Sequence, residues 1–216
     1  MTRQELEQYI DNNVLLGNVV TEYSEIYHEI SKSFFLLNMQ NQLLGSVCVE
    51  NIYVKKDKDN KIHLTYYARE DEEADLGNLI DIIDAESFVY SENLKVISGK
   101  SVTKIDYGAF SGLPLIKIDF PNVEEIELDA FACTKLQDVT LDKVRVLPSG
   151  AFARTPLREF KGNKVKVVGV GAFQWCRELK RLVLPRVEEI YLQNQANIIT
   201  KEDIEILMPE DCKLIR

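Results

Sequence analysis

The chain has 216 residues, of which 45% are hydrophobic and 28% are charged, and its formal net charge at pH 7 is −9. This composition is typical of a folded protein, and the length suits one domain or a repeat array with an appended unit. No run of 18 apolar residues is present, which excludes a membrane-spanning helix. The first residues are polar where a secretory signal would be basic and then apolar, so we expect a cytoplasmic protein without a membrane partner.

The negative charge is concentrated in the first part of the chain. Residues 1–85 contain 7 Lys and Arg against 16 Asp and Glu, whereas residues 86–216 contain 19 of each. The first part would repel a nucleic acid and the second would attract it only weakly, so no nucleic-acid partner is expected. Four cysteines are scattered along the chain: Cys48, Cys133, Cys176 and Cys212. They form no Cys-x-x-Cys pair and are too few for a disulfide framework, which indicates reduced thiols.

Residues 1–78 are predicted to form a small N-terminal α+β cap or interaction unit. Thr2 and Glu5 have the spacing of a capping box at the start of a helix. Three apolar residues share one face of that helix: Leu6, Tyr9 and Ile10. Five residues have the spacing of a second amphipathic helix: Val20, Tyr23, Ile26, Tyr27 and Ile30.

A β-hairpin is predicted next, because residues 47–54 and 61–68 flank the turn-like sequence Lys-Asp-Lys-Asp-Asn. Residues 70–75 are mostly acidic and predict a solvated loop that leads into the remainder of the chain. A unit of this kind would cover the apolar interior that an open solenoid end exposes.

The main feature of the sequence is an Ala-Phe pair that recurs every 21 residues, at Phe110, Phe131, Phe152 and Phe173. Phe88 continues the series upstream, and Gln195 replaces the aromatic residue downstream. Apolar residues also recur at fixed positions around each Phe. The position five residues before it is filled by Ile83, Ile105, Ile126, Leu147 and Val168. A 21-residue unit cannot bury such side chains alone, whereas stacked coils would make each apolar column continuous.

Two other positions of the repeat carry structural expectations. Gly108, Gly150 and Gly171 stand two residues before the Phe, where they predict a tight turn with positive φ, and Asp129 tolerates that conformation nearly as well. Cys133 and Cys176 follow the Ala-Phe pair closely, and both are expected to fill the core.

The segments SGLPLIKIDFPNVEEIELDAFACTKL and RELKRLVLPRVEEI fit the consensus L-x-x-h-x-h-P-x-V-x-x-I-x-x-G-A-F, in which h is apolar. This pattern resembles the BspA-like leucine-rich-repeat family, leucine-rich repeat type 5, over residues 79–209. The resemblance implies an α/β repeat protein in which residues 79–216 form a solenoid of about six short coils with a C-terminal cap. The polar tail at residues 209–216 and the missing Phe at Gln195 are interpreted as that cap, which favours a monomer.

Little in the sequence indicates catalysis. Neither His28 nor His63 has the spacing of a metal ligand, and the common nucleotide-binding, zinc-protease and serine-hydrolase motifs are absent. Cys48 and His63 could lie in the same small sheet, but nothing in the sequence orients them. Residues 70–75 lack the glycine and the alternating ligands of a calcium-binding loop. We therefore expect no enzymatic activity, no cofactor and no metal.

The predicted binding surface is the exposed face of the L-x-x-h-x-h strands. Side chains alternate across a strand, so the residues that flank the central apolar position point away from the core. Ten residues occupy these two columns: Val96, Lys117, Asp138, Glu159 and Arg181 before the central residue, and Ser98, Asp119, Thr140, Lys161 and Val183 after it. Their alternating signs favour a protein partner with a matching charge pattern.

The leading hypothesis is therefore a non-enzymatic protein–protein interaction module that docks through this face. One alternative is an enzyme or ligand-binding activity in residues 1–78, with the solenoid as scaffold. A second is a structural protein that self-assembles through its solenoid ends. The ten residues could also form a solvated sheet face without a partner.

Overall fold

The computed structural model describes residues 1–15, 45–192 and 204–215 of the chain. The predicted second helix, His28 and Gln195 lie outside the described residues. The described helix is α1 (Arg3–Leu15). The described strands are β1 (Val47–Val49), β2 (Ile52–Lys56), β3 (Ile62–Tyr67), β4 (Glu73–Asp75), β5 (Ile82–Ile83), β6 (Val96–Ser98), β7 (Lys104–Ile105), β8 (Lys117–Asp119), β9 (Glu125–Ile126), β10 (Asp138–Thr140), β11 (Val146–Leu147), β12 (Glu159–Lys161), β13 (Val167–Val168), β14 (Arg181–Val183), β15 (Glu189–Tyr191), β16 (Glu205–Leu207) and β17 (Lys213–Ile215).

Helix α1 begins with the predicted capping box. The Thr2 amide donates to Glu5 Oε2 at 2.7 Å, and the Glu5 amide donates to Thr2 Oγ1 at 3.3 Å. Leu6 and Ile10 are buried as predicted, but Tyr9 is 40% exposed and donates its hydroxyl to the Cys48 carbonyl. Within the described ranges, no helix is long and apolar enough to cross a membrane.

The predicted hairpin is present as antiparallel strands β2 and β3 around the turn at residues 57–61. The expectation of one strand over residues 47–54 is wrong, because the chain reverses at Glu50 and Asn51 and β1 pairs antiparallel with β2. Both residues have positive φ, 50° and 63°, which is the conformation that two-residue hairpin turns require.

The acidic segment at residues 70–75 is not entirely a loop. Its last three residues form β4, which pairs in parallel with β6. Ala74 points inward and is buried, while Glu73 and Asp75 flank it on the exposed side. The Asp75 carboxylate accepts hydrogen bonds from the Ser98 hydroxyl at 2.7 Å and from the Gly77 amide at 2.9 Å. The acidic residues therefore extend the exposed sheet by one strand.

From β3 onward the chain forms a succession of short parallel strands in which every coil adds one strand to each of two sides. The sides are the three-residue strands β4-β6-β8 and β10-β12-β14-β16, and the two- to three-residue strands β5-β7-β9 and β11-β13-β15-β17. Strand β3 pairs in parallel with β5, so the hairpin continues directly into the first coil. This architecture confirms the predicted solenoid, and the division at residues 78 and 79 stays a prediction.

Both sides are interrupted between the same two coils: among the described strands, β8 is not paired with β10, nor β9 with β11. Pro148 follows β11 and has no amide hydrogen to donate to the preceding coil, whereas the Glu127 amide, one coil earlier, donates to the Ile105 carbonyl at 2.9 Å. The Phe turns remain connected across this boundary, because the Phe131 amide donates to the Ala151 carbonyl at 3.0 Å.

The interior confirms the repeat frame. The recurring phenylalanines are at most 1% exposed, and they are Phe88, Phe110, Phe131, Phe152 and Phe173. Successive ring centroids lie 5.0, 5.4, 5.3 and 6.1 Å apart. One cluster of buried apolar residues extends from Leu6 to Ile190, so the N-terminal unit and the coils share a core.

The turns on each side of the Phe have positive φ. Two residues before it, φ is 57° at Gly108, 55° at Asp129 and 69° at Gly150, as predicted. Two residues after the Phe, φ is positive again. Cys133 occupies this position of the repeat, and it is exposed. The expectation that Cys133 fills the core is therefore wrong, because a left-handed backbone turns its side chain to solvent. Cys176 is buried as expected, and its thiol donates to the Phe152 carbonyl at 3.0 Å.

The described part of residues 209–216 contains a strand, and the interpretation of this tail as a C-terminal cap stays a prediction. Lys213–Ile215 forms β17, which pairs in parallel with β15 and extends that ladder. Glu205–Leu207 similarly extends the other side as β16. The last coil was missed because its spacing departs from 21 residues: Arg181 pairs with Glu205.

Candidate functional site

The ten residues predicted for binding all lie on the three-residue strands, on the two sides of an inward-pointing residue. On β6 and β8, Val96 is opposite Lys117 and Ser98 is opposite Asp119. On β10, β12 and β14 the register aligns the remaining six residues in two columns: Asp138, Glu159 and Arg181, and Thr140, Lys161 and Val183. The interruption between β8 and β10 separates these two groups. We call the surface formed by the ten residues the docking face.

Exposure is greatest in the middle of the docking face. Four of its residues are exposed, namely Lys117, Asp119, Asp138 and Thr140, and the other six are half-buried. Under them lie the buried Ile97, Val139, Phe160 and Leu182 and, on β8, the half-buried Ile118. The face is thus supported by the core and carries its most accessible charges on the two central strands.

Ion pairs neutralise the C-terminal part of the docking face. Arg181 donates to Glu159 at 2.7 Å and lies 3.3 Å from Glu205 on β16. Within residues 1–15, 45–192 and 204–215, no ion pair involves Lys117, Asp138 or Lys161. The central charges are therefore available to a partner, whereas those of Glu159 and Arg181 are already satisfied.

A groove of about 470 Å³ lies on the third side of the solenoid, along the Phe turns. Its floor consists of small residues such as Gly108 and Gly150, and Glu86, Asp129 and Arg154 lie along it. Asp129 Oδ1 is 1.9 Å from the position that a Cβ on residue 150 would take, so the glycine makes room for this carboxylate. Sequence reasoning missed the groove, whose lining includes residues from both positive-φ positions, such as Gly108 and Cys133.

The N-terminal unit is held to the first coil by two carboxylates that flank β5. Asp81 is 5% exposed and accepts two hydrogen bonds from the Arg3 guanidinium, at 3.0 Å to Oδ1 and 2.6 Å to Oδ2. Its Oδ2 also accepts the Ile62 amide of β3 at 2.9 Å. Asp84 is 6% exposed, and its Oδ2 lies 3.1 Å from Lys55 Nζ on β2.

His63 contacts a carboxylate with each of its ring nitrogens. Nδ1 lies 2.6 Å from Asp84 Oδ1, and Nε2 lies 3.2 Å from Asp57 Oδ2. Burial lowers the pKa of His63, but the hydrogen bond and charge of Asp84, followed by the hydrogen bond of Asp57, raise that pKa above its ordinary value. Burial raises the pKa of Asp57. Hydrogen bonds from the Lys61 amide, from His63 and from the Asp59 amide outweigh burial and lower that pKa below its ordinary value.

The geometry offers no support for catalysis by Cys48 and His63. Cys48 is exposed on β1 and its cross-strand neighbour is Tyr53, whereas His63 is opposite Lys55. Both ring nitrogens of His63 face aspartates. In the part of the chain that the structure describes, no group of three His, Cys, Asp or Glu side chains could hold a metal ion.

Comparison with known proteins identifies the repeat. The family model described as BspA type leucine rich repeat region matches residues 65–201 in six copies. A leucine-rich repeat protein from Bacteroides ovatus is 24% identical with a TM-score of 0.57, over 72% of this chain and 43% of its own. A leucine rich cell surface protein from Faecalibacterium prausnitzii is 22% identical with a TM-score of 0.51, over 76% of this chain and 39% of its own.

At these identities the two structures show the fold alone. The chain spans only about two fifths of the length of these solved relatives. No curated protein matches the sequence.

Proposed function

Because the chain belongs to the BspA-type leucine-rich-repeat family, we propose that it is a non-enzymatic module that binds another protein through the docking face. Repeat families of this kind are binding scaffolds, since stacked coils present one extended surface to a partner. The family membership supports interaction in general, and the choice of this face rests on its charges.

The observation that carries the choice is a group of charges at the centre of the face for which the described residues supply no ion pair. Lys117 and Asp119 are exposed on β8, Asp138 is exposed on β10, and Lys161 lies on β12, which pairs with β10. Forming an ion pair with a partner costs less here than at Glu159, because no existing pair must be broken. Signs are mixed over a short distance, so the surface complements a protein with the opposite pattern, and its acidic members disfavour a polyanion.

We further propose that the partner is cytoplasmic, although the relative from Faecalibacterium prausnitzii is a cell surface protein and a partner at the cell surface is the competing case.

A second candidate function is ligand binding in the groove along the Phe turns. Its volume of about 470 Å³ is within the range of small-molecule sites. Glu86 and Asp129 have no ion pair among the described residues, so their charges are also available.

The test is affinity capture from lysate and from surface extracts of the source cells, followed by measurement of the affinity for each captured protein. The bait is the full chain, either unchanged or with Lys117→Glu and Lys161→Glu together. A matched control carries Lys164→Glu, which reverses an exposed lysine outside the docking face. We expect the double variant to weaken binding at least about tenfold, which is about 1.4 kcal/mol, and the control to bind normally.

Equal binding by all three baits would remove the docking face from the proposal. If a captured partner is instead lost with Asp129→Asn and retained by the double lysine variant, binding occurs in the groove. The circular dichroism spectrum of each bait shows whether the fold is retained, so that a loss of binding is not mistaken for unfolding.

A further inference from the structure

Among the described residues, the joint between the N-terminal hairpin and the first coil contains one imidazole group, a side chain whose ordinary pKa is about 6.5. That group is His63, which lies on β3 with its side chain 17% exposed. It bridges Asp57, in the turn between β2 and β3, and Asp84, which follows β5 in the first coil. The two carboxylates therefore belong to different structural units, and the imidazole ring lies between them.

Proton counting assigns the charge of this ring. Ionised carboxylates only accept hydrogen bonds, and a neutral imidazole has a single N–H to donate. Both contacts can be hydrogen bonds at once only if His63 is an imidazolium or if one aspartate is protonated. Asp57 Oδ1 accepts the amides of Asp59 at 2.9 Å and Lys61 at 2.8 Å, and the Lys55 ammonium lies on Asp84. These contacts stabilise both negative charges, so the proton is on His63.

We propose that His63 is a proton-controlled link, which joins hairpin β2–β3 to the first coil when protonated and releases the turn of the hairpin when neutral. Loss of the proton leaves one nitrogen with a lone pair facing a carboxylate oxygen, which is repulsive. The contact that breaks is the longer one, 3.2 Å to Asp57, while the 2.6 Å bond to Asp84 is kept. Asp57 then holds the turn only through its bonds to the Asp59 and Lys61 amides.

The neighbouring charges leave His63 as the group that controls the link. On β2, Lys55 contacts Asp84 and opposes the positive charge of the ring. Beyond β5, Lys104 on β7 forms an ion pair with Asp106 at 2.8 Å. At the other end of β5, Asp81 is bound by Arg3. The ordinary pKa values of lysine, arginine and aspartate lie far from neutral, whereas that of histidine is about 6.5, which makes the imidazole the pH-sensitive group of this set.

The link adds to a short backbone pairing between β3 and the first coil, beside the core that the two share. Their pairing consists of two residue pairs, His63 with Ile82 and Leu64 with Ile83. The hairpin also supplies the first strand of the ladder that the two-residue strands continue. A hairpin loosened at its turn therefore weakens the N-terminal end of the stack, while the coils after β10 are unaffected.

The experiment is a titration of the full chain by nuclear magnetic resonance with labelled histidine. The chain has two histidines, and His28→Gln leaves the signal of His63 alone. We expect a midpoint above about 6.5, the ordinary value for histidine. Asp57→Asn should lower that midpoint by about 0.5 pH unit or more, because it removes the second carboxylate. The matched control is Asp59→Asn, which neutralises an exposed carboxylate of the same turn and should leave the midpoint nearly unchanged.

Amide hydrogen exchange supplies the structural readout. After correction for intrinsic exchange, protection of the β2 and β3 amides should fall severalfold as pH rises through the midpoint, while β12 and β14 keep theirs. In Asp57→Asn the hairpin should show the lower protection at both pH values. A midpoint at or below the ordinary value, equal shifts in the two asparagine variants, or pH-independent hairpin protection would each overturn the proposal.

Discussion

Replacement of Phe131 by alanine tests the stacked core directly. The Phe131 ring is completely buried and lies between two others, with centroids 5.4 Å from Phe110 and 5.3 Å from Phe152. The planes of Phe131 and Phe152 are nearly parallel, 3° apart. Alanine would leave a ring-sized cavity in the middle of this column and remove both ring contacts.

The cost should be near the upper end of the range for buried phenylalanine, about 4–5 kcal/mol. The cavity cannot close easily, because backbone hydrogen bonds hold the coils at fixed spacing on both sides. The Phe110 amide donates to the Ala130 carbonyl at 3.0 Å, and the Phe131 amide donates to the Ala151 carbonyl at 3.0 Å. Each aromatic pair adds about 0.5–1.5 kcal/mol beyond the buried area. Such a loss is a large part of the stability of an ordinary domain, about 5–15 kcal/mol.

Urea unfolding followed by circular dichroism measures this cost. The control is Tyr107→Ala, which removes an aromatic ring that is 49% exposed and should cost less than about 1 kcal/mol. Since coils are stabilised by their neighbours, we expect the loss to appear in a single transition of the whole array. A cost below about 1 kcal/mol for Phe131→Ala would refute the argument that the aromatic column supports the solenoid.

Three further perturbations follow from individual contacts. Gly150→Ala should lower the free energy of unfolding in urea by at least about 2 kcal/mol, because φ is +69° and the new Cβ would meet Asp129. Adding Asp129→Ala to the same chain should recover part of that loss. Arg3→Ala should cost about 1–3 kcal/mol because a buried carboxylate loses its partner, whereas Arg158→Ala, from an exposed pair, should cost almost nothing in the same assay. The pKa of His63 is raised on folding, so its contribution to stability is complete below about pH 6.5 and disappears as pH rises through the folded pKa. The free energy of unfolding, measured at pH 6 and at pH 8.5, should show this loss in the natural chain and not in His63→Gln.

The repeat could be predicted from the sequence because its signals are periodic. Inward-pointing residues recur at the same positions of every coil. Once the strands around Phe131 are placed correctly, the strands of every other coil with the same spacing follow. The columns of the docking face followed from that alignment and from the alternation of side chains along a strand. Predictions failed where the period changes: the pairing of Arg181 with Glu205 spans more than 21 residues, and β16 was missed for that reason.

Features set by single contacts could not be predicted in this way. The reversal at Glu50 and Asn51 has no glycine to indicate positive φ, and β4 lies in a segment whose acidity suggested a loop. The bridge from His63 to Asp84 joins residues 21 positions apart in the chain. Nothing in the local sequence shows that these side chains meet, because the contact depends on the parallel pairing of β3 with β5.

The interruption of the ladders accounts for two charges at the centre of the docking face that form no ion pair among the described residues, those of Lys117 and Asp138. In the continuous ladder Arg181 lies opposite Glu159, and the two side chains form an ion pair at 2.7 Å. Lys117 and Asp138 are also one coil apart and have opposite signs, so a continuous ladder would bring them together in the same way. The described strands β8 and β10 are not paired, and both charges stay exposed to solvent. The break in backbone pairing thus withholds an internal ion pair and leaves two charges for a partner.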